Sequence, residues 1–181
     1  MVNKNNIYAF VQARLNSSRL KDKVIKKINN KTLIEILLKR LSKSKLVDKV
    51  VVLIPEEKNE NELEKLIKEK GFEVFRGNKN NVLDRFYKAS KKYKSHYIIR
   101  ITADCPLVDV NIIDKLIKII IKKKYNYVSN TSPATFPDGL DAEIFTTKIL
   151  HHTWKKAKTK YDKEHVTPFM IRSKSKKKFN L

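Results

Sequence analysis

QARLNSSRLKDK, residues 12–23, follows the apolar run Ile7 to Val11 and precedes an amphipathic segment that begins near Thr32. A buried strand opening directly into a loop of Arg14, Ser17, Ser18, Arg19 and Lys23 can present donors to phosphate. Side-chain hydroxyls and cations are joined there by the backbone N–H groups of the turn. A solvated basic loop is the other reading of the same residues. What the chain places at the same end of its sheet decides between them.

Ile7 to Gln12 is expected as the first, buried strand. Thr32-Leu-Ile-Glu35 is a capping box and opens a helix with apolar positions Leu33, Ile36, Leu37 and Leu41. Lys49 to Ile54 (KVVVLI) is β-branched and apolar throughout, as a strand covered on both faces should be, and Pro55 ends it. Asn59 is expected to cap a helix carrying Leu63, Leu66 and Ile67, with Gly71 as a left-handed stop. Phe72 to Phe75 is a third strand, and Asn80 or Asn81 starts a helix with Leu83, Phe86, Tyr87 and Ser90 on one side. His96 to Ile101 is the fourth strand. Asp109 caps a helix containing Ile112, Ile113, Leu116, Ile117 and Ile120, and Tyr125 to Ser129 is the fifth strand. Such alternation predicts a parallel α/β sheet, whose ligands bind beyond the carboxyl ends of the strands. A segment AEIFTT, a helix with HHTWKKAK and a final DKEHVTPFMIRS complete the reading.

At 181 residues, residues 1–181 are expected to form one domain. No stretch approaches the roughly 20 apolar residues that span a bilayer, and the first residues, MVNKNNIYAF, lack a signal-peptide core. A single cysteine, Cys105, excludes a disulfide framework or a cysteine-based zinc cluster, so the cytoplasm is the expected compartment. The formal charge of +22 invites a nucleic-acid reading. The lysines, however, are scattered over every predicted helix with no aromatic interleaving, which suits unspecific attraction of polyanions better than a specific nucleic-acid site. Only seven of the 41 basic residues are arginine: Arg14, Arg19, Arg40, Arg76, Arg85, Arg100 and Arg172. Where a point charge suffices the chain uses lysine, so an arginine marks a place that needs a planar, multi-donor fork.

The loops carry the chemistry. Neither a G-x-G-x-x-G nor a G-x-x-x-x-G-K-[ST] pattern occurs, which disfavours a dinucleotide fold or a Walker loop. Asp104, in Arg100-Ile-Thr102-Ala-Asp-Cys-Pro106, directly follows a strand. A magnesium ion keeps several waters and takes one or two carboxylates plus phosphate oxygens, so a lone strand-end Asp suits it; capping the turn before Pro106 is the alternative. Arg76 to Arg85 joins a strand to a helix N-terminus, where an anion can bind, although Asp84 and Arg85 could equally form a surface ion pair. Phe136 to Glu143 sets two or three carboxylates, Asp138, Asp141 and Glu143, around a turn at Gly139, suited to sugar hydroxyls, to a second metal contact or to a plain turn. Glu164 and His165 are read as a helix start or a substrate contact, and His151, His152 and Trp154 as ordinary helix residues. Cys105 is read as inert packing.

In this order QARLNSSRLKDKVI, FRGNKNNVLDRFYKA, RITADCPLVD, YVSNTSPATFPDGLDAEIF and EHVTPF resemble the cytidylyltransferases of the spore-coat polysaccharide biosynthesis type, relatives of the CMP-sialic acid and CMP-Kdo synthetases. The resemblance runs from about residue 7 to residue 171. It implies a nucleotide-diphospho-sugar transferase (GT-A-like) fold, a three-layer α/β/α sandwich with a mostly parallel sheet. It implies transfer of CMP from CTP to a sugar or sugar acid for surface polysaccharide synthesis, with Mg²⁺ as cofactor and a possible homodimer. By motif, Ala13, Arg14, Ser17, Ser18, Arg19 and Lys23 match the triphosphate loop, and Asp104 matches the magnesium-binding Asp. Arg76, Asp84, Arg85, Arg100 and Thr102 fall in nucleotide- and sugar-facing motifs. Asp138, Gly139 and Asp141 match the sugar-side loop, with Glu164 and His165 beside it. Lys23, Arg14 and Asp104 are the expected catalytic residues.

Two departures stand out. Asn16 occupies a usual Gly, a mild change because Asn tolerates the left-handed conformation, and Lys21-Asp22 replaces Pro-Gly. Family members also typically continue past residue 181 with a further strand and an acidic motif. A nucleotide- or sugar-binding protein of the same fold with weak turnover or none is therefore the second expectation, and a basic nucleic-acid-binding protein the third.

Overall fold

The computed structural model describes residues 6–16, 20–173 and, as backbone, Lys178–Asn180. In chain order it contains β1 (Ile7–Gln12), a small hairpin of β2 (Lys27–Ile28) and β3 (Lys31–Thr32), α1 (Leu33–Leu41), β4 (Lys49–Pro55), α2 (Asn61–Glu69), β5 (Glu73–Gly77) and α3 (Val82–Tyr93). These are followed by β6 (Tyr97–Thr102), α4 (Val110–Lys123), β7 (Tyr127–Ser129), β8 (Glu143–Thr146), α5 (Thr147–Lys156), α6 (Lys160–His165), α7 (Pro168–Arg172) and β9 (Lys178–Asn180).

The seven-stranded sheet has the order β5-β4-β1-β6-β8-β7-β9. Neighbouring strands run parallel except β8, which is antiparallel to both β6 and β7. Because side chains alternate along a strand, the sheet feeds two cores. Ala9, Val11, Val52, Ile54, Ile99 and Ile101 pack with Leu37, Ile67 and Ile113 of α1, α2 and α4 on one face. Phe10, Val51, Leu53, Ile98 and Phe145 pack with Phe86, Ile149 and Met170 of α3, α5 and α7 on the other. This is the three-layer sandwich with a mostly parallel sheet that the motifs imply. No helix of the described residues is long and apolar enough to cross a membrane.

Several boundaries differ from expectation for identifiable reasons. Asn59 does not cap α2. It lies inside a single 3₁₀ turn, Lys58–Glu60, and the helix starts after Glu60, whose carboxylate is drawn away to the Leu15 N–H. Tyr125 does not enter the fifth strand, because its N–H closes α4 on the Ile120 carbonyl, past a left-handed Lys124. Glu164 and His165 end a helix rather than start one. The caps at Thr32, Asn81 and Asp109 form as read, and Gly71 takes φ +80, a backbone conformation that penalises any Cβ.

The capping box carries a pH signature. The Lys70 ammonium lies 2.6 Å from Glu35, and the Thr32 N–H and hydroxyl both donate to the same carboxylate. Together they lower the Glu35 carboxyl from its ordinary 4.5 to about 2. A depressed folded-state value favours the fold above pH 4.5, and that contribution fades as pH falls toward 2. The Glu35→Gln protein is therefore expected to be less stable at pH 7 but to lose less stability between pH 5 and pH 3, as read by urea midpoints.

Candidate functional site

Parallel strands deliver their carboxyl ends to one edge of the sheet. The chain leaves β1 to build β4 and β5 on one side, then crosses to β6 on the other, so a crevice opens between the ends of β1 and β6. Gln12 pairs with Thr102 at that point, and the Ala103 N–H donates to the Gln12 carbonyl, which holds the two following loops side by side.

The first loop is braced at both ends. The Leu15 N–H donates to both oxygens of Glu60, at 3.2 and 3.1 Å, and the Asp22 N–H returns to the Leu15 carbonyl at 3.0 Å. Glu60 is almost fully buried, and burial pushes its carboxyl above the ordinary range. Asp22 adopts φ 55, taking the left-handed position for which Gly is the usual choice. Asn16 is not among the positive-φ positions of the described residues. The turn is thus closed by Asp22, and the next residue, Lys23, aims its ammonium at Asp104 Oδ2 3.2 Å away. Ser17, Ser18 and Arg19 lie outside the described residues.

Asp104 sits in the turn after β6. Burial opposes its ionisation, but a hydrogen bond from Thr102 and the Lys23 ammonium outweigh it and hold its carboxyl below the ordinary range. Burial pushes the neighbouring Cys105 thiol up, and its Sγ lies 3.3 Å from Thr102 Oγ1, which fits inert packing.

From the β5 side, Arg85 passes over Gly77, where a Cβ would fall 2.9 Å from its Cγ, so this glycine makes room for the guanidinium. Arg85 is buried and donates to the carbonyls of Asn78 (2.7 Å), Lys79 (3.3 Å) and Leu53 (3.3 Å). Burial lowers its pKa to about 10, which leaves it cationic at neutral pH.

Together these loops line a cavity of about 220 Å³. Among the described residues, Arg14, Lys23, Lys79 and Arg85 face it against Asp104 and Glu164, and its wall also includes Gln12, Ala13, Thr102 and His165. A concave surface with excess positive charge, set at the carboxyl ends of parallel strands, suits a polyphosphate. A second cavity of about 310 Å³ adjoins it, sharing Thr102 and His165. Its wall includes Arg100, Thr131, Asp141, Glu143, Tyr161 and Thr167. Here Arg100 is paired with Glu143, which also accepts from the Tyr127 hydroxyl, while Arg100 Nε donates to Gln12 Oε1 at 3.1 Å. Burial and the nearby carboxylates of Asp138 and Glu143 raise the Asp141 carboxyl.

Two residues expected at the site are engaged elsewhere. Arg76 holds Glu64 at 2.8 Å and Asn61 at 2.7 Å on the edge of the sheet. Asp84 pairs with Lys88 and accepts from the Trp154 indole, whose ring stacks on Tyr87. Neither lines either cavity. Asp138 and Gly139 line neither cavity either: the Asp138 carboxylate acts on Asp141 as a neighbouring charge, and Gly139 makes the intervening turn at φ +91. Sequence reasoning passed over Gln12, Lys79 and Tyr161. The polar end of an otherwise apolar strand was a usable signal for Gln12; none marks the other two.

The chain is similar to known proteins in sequence and in fold. A family model described as cytidylyltransferase matches residues 8–180. An uncharacterized protein of Methanocaldococcus jannaschii, MJ1063, is 43% identical over 164 residues, covering 91% of this chain and 66% of the relative. The spore coat polysaccharide biosynthesis protein SpsF of Bacillus subtilis is 31% identical over 152 residues, covering 81% of this chain and 61% of the relative. The chain thus spans about two thirds or less of the length of these relatives. A solved cytidylyltransferase structure from Leptospira borgpetersenii superposes with a TM-score of 0.93 at 32% identity, over 97% of this chain and 75% of that one.

Proposed function

The chain belongs to the cytidylyltransferase family, and from that premise we propose that it transfers CMP from CTP to a hydroxyl of a sugar or sugar acid, with release of pyrophosphate. The product would be an activated sugar of the kind that surface polysaccharide synthesis consumes. The observation that carries this reading is the pair of adjoining cavities at the carboxyl end of the sheet, one cationic and one lined by carboxylates and hydroxyls.

In the first cavity Arg14, Lys23, Lys79 and Arg85 neutralise the triphosphate, and the second orients the acceptor hydroxyl toward the α-phosphorus for in-line attack. Positioning and charge neutralisation dominate such transfers. The donor set also fits Mg²⁺. The described residues hold no cluster of three or more metal-ligating side chains, but one strand-end carboxylate in a cationic cavity suits an ion that arrives with its phosphates. Asp104 would hold it, and the ion would supply charge neutralisation on the phosphate oxygens. Lys23, now paired with Asp104, would stand within the same cavity to meet the phosphates.

Thermal shift tests the reading. CTP with Mg²⁺ is expected to raise the melting temperature more than ATP or GTP with Mg²⁺. A response confined to a short DNA duplex and lost steeply with salt would contradict it.

A further inference from the structure

His165 occupies a singular position. Among the described residues, it and Thr102 are the two that line both cavities, and the Thr102 hydroxyl is already engaged with Asp104 and Cys105. His165 is thus the titratable side chain at the junction.

The backbone spends free energy to keep it there. The next residue, Val166, is fully buried and adopts φ 70, ψ −56, which a β-branched residue rarely takes. The Thr167 N–H bonds the His165 carbonyl at 2.8 Å, which makes the step a γ-turn of the rare, strained kind. Flanking contacts hold the strain in place. The Val166 N–H donates to the Asp162 carbonyl, buried Asp162 accepts from Arg172 at 2.7 and 2.9 Å, and Pro168 starts α7 immediately beyond. Strain of this kind persists where the surroundings over-determine it, and it clusters at functional sites.

We propose that His165 is the general base of the transfer, an assignment that rests on the cytidylyl-transfer reading above. Its ring nitrogen takes the proton of the acceptor hydroxyl as the oxygen forms its bond to the α-phosphorus. The bond from that phosphorus to the β-phosphate oxygen breaks, pyrophosphate leaves with the electron pair, and the imidazolium later returns its proton to solvent. Charged groups face the ring from both cavities and from its own helix. Across the first cavity Arg14, Lys23, Lys79 and Arg85 outnumber Asp104. Across the second, Arg100 is offset by Glu143, and Asp141 carries a raised carboxyl. On its own helix stand Glu164 and Tyr161, whose ring centroid lies 4.5 Å from the imidazole.

The test is the pH dependence of pyrophosphate release at saturating CTP and Mg²⁺ across a panel of neutral sugars and sugar acids. Wild-type protein is expected to show kcat rising with pH along a single limb that reports the base. His165→Ala is expected to lower kcat by about 10²–10⁴-fold, to lose that limb, to keep its CTP thermal shift, and to recover rate with added imidazole. Unchanged kcat or an unchanged limb in His165→Ala would overturn this assignment alone. No release by wild-type protein with any acceptor would overturn the transfer reading and this assignment with it.

Discussion

Replacing Asp104 with alanine is expected to lower pyrophosphate release from CTP by about 10³-fold or more, with the melting temperature nearly unchanged. The two outcomes separate because of where the residue lies. Asp104 is partly exposed in a turn, and its ion pair with Lys23 is half in solvent, with side-chain exposures of 29% for Lys23 and 41% for Asp104. A pair of that exposure contributes about 1 kcal/mol at most, so its loss does not threaten the fold. Catalysis is another matter, since Asp104 is the strand-end carboxylate within the cationic cavity. Lys23→Ala is expected to behave in the same way, with a larger loss of CTP affinity, because the ammonium that now neutralises Asp104 is the one that would move to phosphate. Parallel measurement of turnover and thermal melting in both variants checks this.

The second large effect concerns stability. Glu143→Ala is expected to destabilise the protein by about 3–5 kcal/mol, measured by urea unfolding. Glu143 is buried between the Arg100 guanidinium and the Tyr127 hydroxyl, whose ionisation is pushed up by burial and by this carboxylate. Removing the acid leaves a largely buried cation and a buried hydroxyl without their partner, which costs far more than the pair contributed. Typical domains are stable by roughly 5–15 kcal/mol, so the loss is a large share of the total. Glu143→Gln keeps one acceptor oxygen where the carboxylate offers two, Oε2 to Arg100 and Oε1 to Tyr127, and is expected to cost less. Either variant also disturbs Gln12, whose side-chain oxygen Oε1 is held by Arg100 at the wall of the first cavity.

The arginines show where sequence reasoning reached and where it stopped. A chain that prefers lysine spends arginine where a fork is needed, and the structure honours that rule. The recipients are mostly the protein itself: Arg40 serves the carbonyls of Leu107 and Val108, Arg85 those of three residues, Arg76 a surface carboxylate and Arg172 the buried Asp162. Composition reveals the need for a fork but not its target, because the target is set by tertiary packing. The strands and caps were legible because their signals are local: short continuous apolar runs, Thr32 three residues before Glu35, Asn81 and Asp109 at helix starts. Glu60 was not legible. It reads as one more acidic residue of a helix start, and only the approach of the first loop from 45 residues away makes it a buried brace. The Asp22 turn and the Val166 strain were hidden for the same reason, since both residues adopt backbone conformations that their types disfavour.

The central claim is that the two cavities hold a nucleotide and an acceptor for one transfer. The most direct test incubates the protein with CTP, Mg²⁺ and each of a panel of sugars and sugar acids, and measures pyrophosphate together with any CMP conjugate by mass spectrometry. The account predicts both products in equal amounts with at least one acceptor, and neither from the Asp104→Ala protein. CTP binding without pyrophosphate from any acceptor, or equal turnover in wild type and Asp104→Ala, would contradict it.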